Sequence, residues 1–284
     1  MLISLCVASA ALGVALVGDV SGPLSVSAPE RTADGLLTHT VQSPYQSQPT
    51  RLVILLPENL RPEERCRALY VLPVEAGDST HWGEPLAELR RLGLHNQYRL
   101  ACVYPTFAQL PWYADHPRDP GIRQESHLLQ GVLPWIESHY PVHARHEARL
   151  LLGFSKSGWG AFSLLLRHPD CFARAAAWAS PLEESTPQRF GMGPVFGTPE
   201  NFENYRTTSL LTRYAGQWNS GPPRLVLLGY GNFQAAVTAA HQRLNTLQIA
   251  HVYRDGPARK HHWNSGWLQE AVTLLAAETP SDPQ

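Results

Sequence analysis

An α/β fold, with a mostly parallel central sheet and helices on both faces, is predicted by three observations. Short apolar runs alternate with amphipathic runs along most of the chain. Gly and Pro stand where those runs must stop. The length, 284 residues with 43% hydrophobic and 17% charged side chains, supplies a core large enough for one layered α/β domain.

Leu37 to Gln42 and Leu52 to Leu56 read as the first two strands, the second closed by Pro57. Ala68 to Leu72 is a buried strand stopped by Pro73. Pro85 to Leu92 has helical spacing and ends at Gly93. Leu100 to Tyr104 is a further strand, with Cys102 as a core thiol. Gln124 to His139 reads as one longer helix, because Leu128, Leu129, Val132, Leu133 and Ile136 recur at three and four residues. Leu150 to Leu152 is a strand and Ala161 to Arg167 a helix. Arg174–Trp178, Arg224–Leu228 and Ala250–Tyr253 continue the sheet, separated by helices near Phe233–Leu247 and Trp267–Ala277. The stretch Pro181 to Asn219 is too long for a plain connection and is expected to form a cap or pocket wall.

Leu2 to Gly18 is free of charge and rich in Leu, Val and Ala. It matches the apolar region of a secretory signal. An uncleaved anchor and a buried first helix are the alternatives, although a membrane span needs about 20 residues. The expected organisation is a signal peptide or anchor over 1–28, a small-residue linker over 29–36, and a single domain over 37–278. The expected location is secreted or periplasmic, with no stable membrane span after processing. Twenty-three basic against 24 acidic residues give a net charge of −1, which carries no electrostatic footprint for nucleic acid. The four cysteines are irregularly spaced, and neither His81-Trp82 nor Asp115-His116 has ligand spacing. No disulfide framework, metal or cofactor is expected.

The chemistry concentrates in Gly153-Phe154-Ser155-Lys156-Ser157-Gly158-Trp159-Gly160-Ala161. A serine between small residues, after an apolar strand and before a helix, is the pattern of a nucleophile elbow. Such a turn lifts the serine hydroxyl above the sheet and presents the next backbone N–H to a developing oxyanion. Ser157 holds the position of the motif's last glycine, with Gly158 just beyond. The plainer reading of Ser155 is a helix N-cap.

Several segments, in order, resemble the putative esterase family, the esterase D and antigen 85 branch of the α/β-hydrolases. They are Ser43-Pro44 with Arg51 to Pro57, Leu69 to Pro73, Gln124 to Leu129 with Leu133 to Glu137 and Tyr140 to Val142, Gly153 to Phe172, and His261-His262-Trp263 with Trp267. The resemblance covers about 38–277. It implies an α/β-hydrolase fold and a serine carboxylesterase. Ser155 becomes the nucleophile and His261, two residues before Trp263, the general base, with His262 as the competitor. The backbone N–H groups of Lys156 and Val74 become the oxyanion donors.

Two positions depart from the family pattern. Asn232, in Gly229-Tyr230-Gly231-Asn232, stands where a carboxylate is expected, leaving Glu183, Glu184 and Asp255 as other candidates for the acid. The loop after Pro73 reads Val74-Glu75-Ala76-Gly77 rather than His-Gly or Asp-Gly. A Glu75 side chain aimed into the site would repel an oxyanion, so it must face away or serve another purpose. Lys156 is expected to diverge from Ser155. Trp112, Tyr113, Trp159, Trp263 and Trp267 read mainly as packing residues. The substrate expected is a small-molecule or glycan-linked ester. An acyltransferase of the same fold and a non-catalytic binding protein on a hydrolase scaffold are the rival functions.

Overall fold

The computed structural model describes residues 24–277, and the charge-free run Leu2–Gly18 lies outside them. Among the described residues ten strands form one sheet: β1 (Ser25–Val26), β2 (Glu30–Arg31), β3 (Leu37–Gln42), β4 (Thr50–Leu55), β5 (Arg67–Val71), β6 (Leu100–Pro105), β7 (Arg149–Phe154), β8 (Arg174–Trp178), β9 (Leu225–Leu228) and β10 (His251–Arg254). Their order is β1-β3-β4-β6-β5-β7-β8-β9-β10, with β2 also paired to β3. From β6 to β10 every pairing is parallel. The pairings β1/β3, β2/β3, β3/β4 and β4/β6 are antiparallel, so the sheet is mixed. The segment read as a linker holds β2, and β1 lies in the last residues of the segment read as a signal peptide or anchor. Two-residue strands are too short to leave a periodic signal, and they are held by pairing to β3.

Strand β7 shows why both faces are covered. Leu150, Leu152 and Phe154 pack in one core with Leu86 and Leu89 of helix α1 (Pro85–Arg91), Leu94 of α2 (Leu94–Gln97), and Leu268, Val272 and Leu275 of α10 (Leu268–Ala276). Leu151, one residue out of phase, packs in the other core. That core takes Leu128, Val132 and Ile136, then Phe162 and Leu165 of α5 (Lys156–Arg167), and Val237 and Leu244 of α9 (Gln234–Thr246). A strand buried on both faces reads as a continuous apolar run because alternate side chains enter different cores.

The helix expected over 124–139 is divided. A short α3 (Gln124–Ser126) leads into a π-helical stretch, His127–Val132, and then into α4 (Leu133–His139). Pro134 has no N–H to donate into the α-helical ladder, and the wider turns lie just before it. The insert 181–219 contains α6 (Gly193–Phe196), α7 (Pro199–Tyr205) and α8 (Thr207–Trp218). Phe196, Phe202, Leu210 and Leu211 enter the α5 core, with the Phe196 ring 5.7 Å from that of Trp159. The cap is therefore built into the core. Among the described residues, no helix is long and apolar enough to cross a membrane.

The chain runs from β5 to β6 on one side, then crosses to β7 on the other side of β5. In open parallel sheets such a reversal leaves a crevice at the carboxyl ends of the strands. The loops after β5, β7, β8, β9 and β10 carry the residues discussed next.

Candidate active site

Ser155 joins β7 to α5 with φ 53° and ψ −130°. A positive φ is uncommon for a residue with a Cβ, and such strain collects at functional turns. Neighbouring side chains explain how the turn is held. A Cβ on Gly153 would lie 2.7 Å from the Gly158 nitrogen and closer still to the Ser157 carbonyl, so only glycine fits there. Ser157 Oγ accepts from Phe154 N–H at 3.0 Å and donates to the Phe154 carbonyl at 2.9 Å. The hydroxyl that replaces the motif's final glycine thus fastens the elbow from within. Ser180 Oγ donates to the Ser155 carbonyl at 2.8 Å, and Ser155 N–H donates to the Trp178 carbonyl at 2.9 Å. Ser155 Oγ makes no hydrogen bond among the described residues, and it does not cap α5.

The loop after β5 is fixed by the buried Tyr113 hydroxyl, which donates to the Pro73 carbonyl at 2.6 Å. Val74 is buried. Glu75 does serve another purpose: its Oε1 accepts from Lys156 Nζ at 2.7 Å and from Trp82 Nε1 at 2.9 Å. The Lys156 side chain is thereby drawn to the β5 loop, while its backbone begins α5. A helix N-terminus presents free N–H groups and favours negative charge.

His261 lies in an aromatic box. Its ring centroid is 4.9 Å from Phe154, 5.0 Å from Trp82, 5.8 Å from Phe233 and 6.0 Å from Trp178. Its Nδ1 is buried with no hydrogen-bond partner among the described residues. Burial first, and then the nearby Lys156 charge, push its pKa down to about 4. Both effects disfavour the imidazolium. No hydrogen bond among the described residues joins His261 to Ser155. Phe154 and Lys156, which flank Ser155, bring the two residues into one neighbourhood.

His262 sits elsewhere. Its ring covers Gly83, where a Cβ would lie 2.8 Å from His262 Nδ1. Its carbonyl accepts from Trp267 Nε1 at 3.1 Å, and Trp263 N–H donates to the Trp82 carbonyl at 2.9 Å. The second of these bonds ties the histidine segment to the β5 loop.

None of the four acid candidates reaches His261 Nδ1. Glu183 is held by Arg243 at 2.8 Å and Glu184 by Arg189 at 3.1 Å. Asp255 and Asn232 are exposed. Beside Asn232, the Phe233 ring faces His261. Trp112, Tyr113, Trp159, Trp263 and Trp267 are all buried, and Tyr113 and Trp267 add loop hydrogen bonds to the Pro73 and His262 carbonyls. Trp82, Trp178 and Phe233 are the walls around His261 that sequence reasoning missed, and it placed Ser157 in the elbow without foreseeing its bonds to Phe154. Among the described residues no cluster of three or more His, Cys, Asp or Glu side chains could hold a metal.

Residues 103–199, a third of the chain, match the family described as putative esterase. An esterase of Mycobacterium tuberculosis, Rv1288, is 29% identical over 82 residues; the match covers 28% of this chain and only 18% of that protein. Among solved structures, the fluorophosphonate-binding serine hydrolase F of Staphylococcus aureus superposes with a TM-score of 0.70 at 16% identity, covering 90% of this chain and 100% of that one. The S-formylglutathione hydrolase FrmB of S. aureus gives 0.68 at 16%, covering 86% and 99%. A ferulic acid esterase gives 0.64 at 20%, covering 90% and 98%. Residues 103–199, which carry the elbow, thus match the putative esterase family, and the chain around them has the α/β-hydrolase fold.

Proposed function

We propose that this protein is a serine hydrolase that cleaves carboxylic esters through an acyl-enzyme intermediate. The observation that carries the reading is the strained elbow: Ser155, at φ 53°, stands at the N-terminus of α5 beside the neighbours of His261. Ser155 Oγ attacks the ester carbonyl while His261 takes its proton. The oxyanion is met by the backbone N–H groups of Lys156 and Val74. His261 then returns the proton to the leaving alcohol, and water repeats the cycle on the acyl-serine. The substrate is a small-molecule or glycan-linked ester. Export is proposed with it, on the charge-free run Leu2–Gly18, and fractionation of expressing cells tests that assignment.

A fluorophosphonate probe should label the protein, and peptide mapping should place the adduct on Ser155. A second reading, a binding protein without turnover, draws on the missing Ser155–His261 bond and on the unpartnered Nδ1. Failure of the probe to react would favour it.

The pH profile follows from the depressed His261 pKa. A general base works when deprotonated. A pKa lowered to about 4 keeps the imidazole neutral well below the ordinary histidine value of about 6.5. kcat/KM should therefore hold as the pH falls from 7 to about 5 and decline only toward pH 4. An acid limb centred near 6.5 would show that His261 is solvated in the working enzyme.

A further inference from the structure

In a charge-supported serine–histidine pair, a carboxylate accepts the Nδ1–H bond. That bond sets both the tautomer and the orientation of the ring. Here Nδ1 is sealed from solvent with no acceptor among the described residues; Glu75, Glu183 and Glu184 are paired with Lys156, Arg243 and Arg189, and Asp255 is exposed. The ring is instead enclosed by four others, each from a different element. Trp82, from the β5 loop, meets it at 84°, and Phe154 of β7 meets it at 66°. Trp178 of β8 lies nearly parallel at 27°, and Phe233, after β9, is tilted at 54°. Contacts on several sides of an imidazole restrict its rotation without any hydrogen bond. The charge acting on it is that of Lys156 on α5, which is itself paired with Glu75.

Phe233 is the informative wall of this box. It adjoins Asn232, the position where a carboxylate would be expected. Its backbone is left-handed, with φ 61°, a conformation that bulky residues rarely adopt. It is only partly buried and belongs to neither core. Its other ring neighbour is the exposed Phe190 at 5.6 Å. Core packing therefore does not account for a strained aromatic at this point.

We propose that Phe233 is a positioning residue for His261, its ring acting with that of Trp82 to hold the imidazole toward Ser155 in the role a carboxylate would otherwise fill. This rests on the serine-hydrolase reading above. The place is filled by shape rather than charge, so the device orients the base without drawing a proton onto it.

The test uses the full chain with a p-nitrophenyl ester and a fluorophosphonate. Phe233→Ala should lower kcat by about 10- to 100-fold, the cost of a small misplacement of a reacting group. KM should change little, and the rate of fluorophosphonate labelling should fall by the same factor. The acid limb of kcat/KM should move upward as water reaches the imidazole, a shift that a purely structural residue would not cause. Phe233→Tyr should restore rate and profile, whereas Phe233→Leu, which keeps bulk without a ring, should not. That pair decides the matter if Phe233→Ala fails to fold. Wild-type kcat in Phe233→Ala or Phe233→Leu overturns the proposal, as does a loss confined to KM, which would mark a substrate contact. Wild-type protein that neither turns over the ester nor takes the label sinks the serine-hydrolase reading itself.

Discussion

Ser155→Ala should abolish ester turnover and fluorophosphonate labelling together, with kcat falling by roughly 10⁶-fold if the serine and its base act as a unit. The fold should not suffer, because Ser155 Oγ makes no hydrogen bond among the described residues and alanine also carries a Cβ at the same φ. Ser157→Ala is the necessary contrast. Its hydroxyl bridges Phe154 N–H and carbonyl and is fully buried. Removing it leaves a buried donor unpaired, at about 1–3 kcal/mol. Ser157→Ala should therefore melt earlier while still taking the label at Ser155. Labelling that survives in Ser155→Ala, or an adduct mapped to Ser157, would remove Ser155 from the mechanism.

The two serines show what is legible in a sequence and what is not. The elbow is a local steric device. Gly153, a serine and a following small residue declare it because a short turn forbids anything larger, and the strand and helix on either side are equally local. Hence β7, α5 and the alternation around them can be read from residue order. That Ser157 would bond back across the turn needed the turn's coordinates, although a hydroxyl in a glycine position was itself a signal. The aromatic box leaves no such trace. Trp82, Phe154, Trp178 and Phe233 are spread over more than a hundred residues and meet only because four strand ends converge at one crevice. The Glu75–Lys156 pair is partly readable, since an acid in the oxyanion loop must be neutralised or turned away, but its partner could not be named from order alone. Of the acids plausible by position, Glu183 is removed by Arg243 of the distant α9, and Glu184 by Arg189 within its own insert. The strands β1 and β2 escaped because pairing to β3, not propensity, makes them strands.

His261 and His262 are adjacent, and their variants should separate sharply. His261→Ala should reduce kcat by about 10⁴- to 10⁶-fold, since without the base the Ser155 hydroxyl keeps its proton. The fluorophosphonate reaction should slow in parallel, because it too needs an activated oxygen. KM should change little, as the imidazole acts in the transition state rather than in holding the ester. His262→Ala removes a ring that rests on Gly83 and whose Nδ1 accepts only a long 3.4 Å bond from Asn264 N–H. Its carbonyl bonds to Ser265 and Trp267 belong to the backbone and survive the substitution. A change of that kind shifts energies by about 0.5 kcal/mol, roughly a factor of two in rate. The pH profile adds a check that rate loss alone cannot give: His262→Ala should keep the acid limb near pH 4, because the burial and the Lys156 charge that set it act on His261. If His262→Ala instead silences the enzyme while His261→Ala remains active, the segment between β10 and α10 must move on substrate binding to carry His262 to Ser155, and the base is reassigned. If neither variant slows the reaction while Ser155→Ala does, the serine is activated by another group, and Lys156, freed from Glu75, becomes the residue to mutate next.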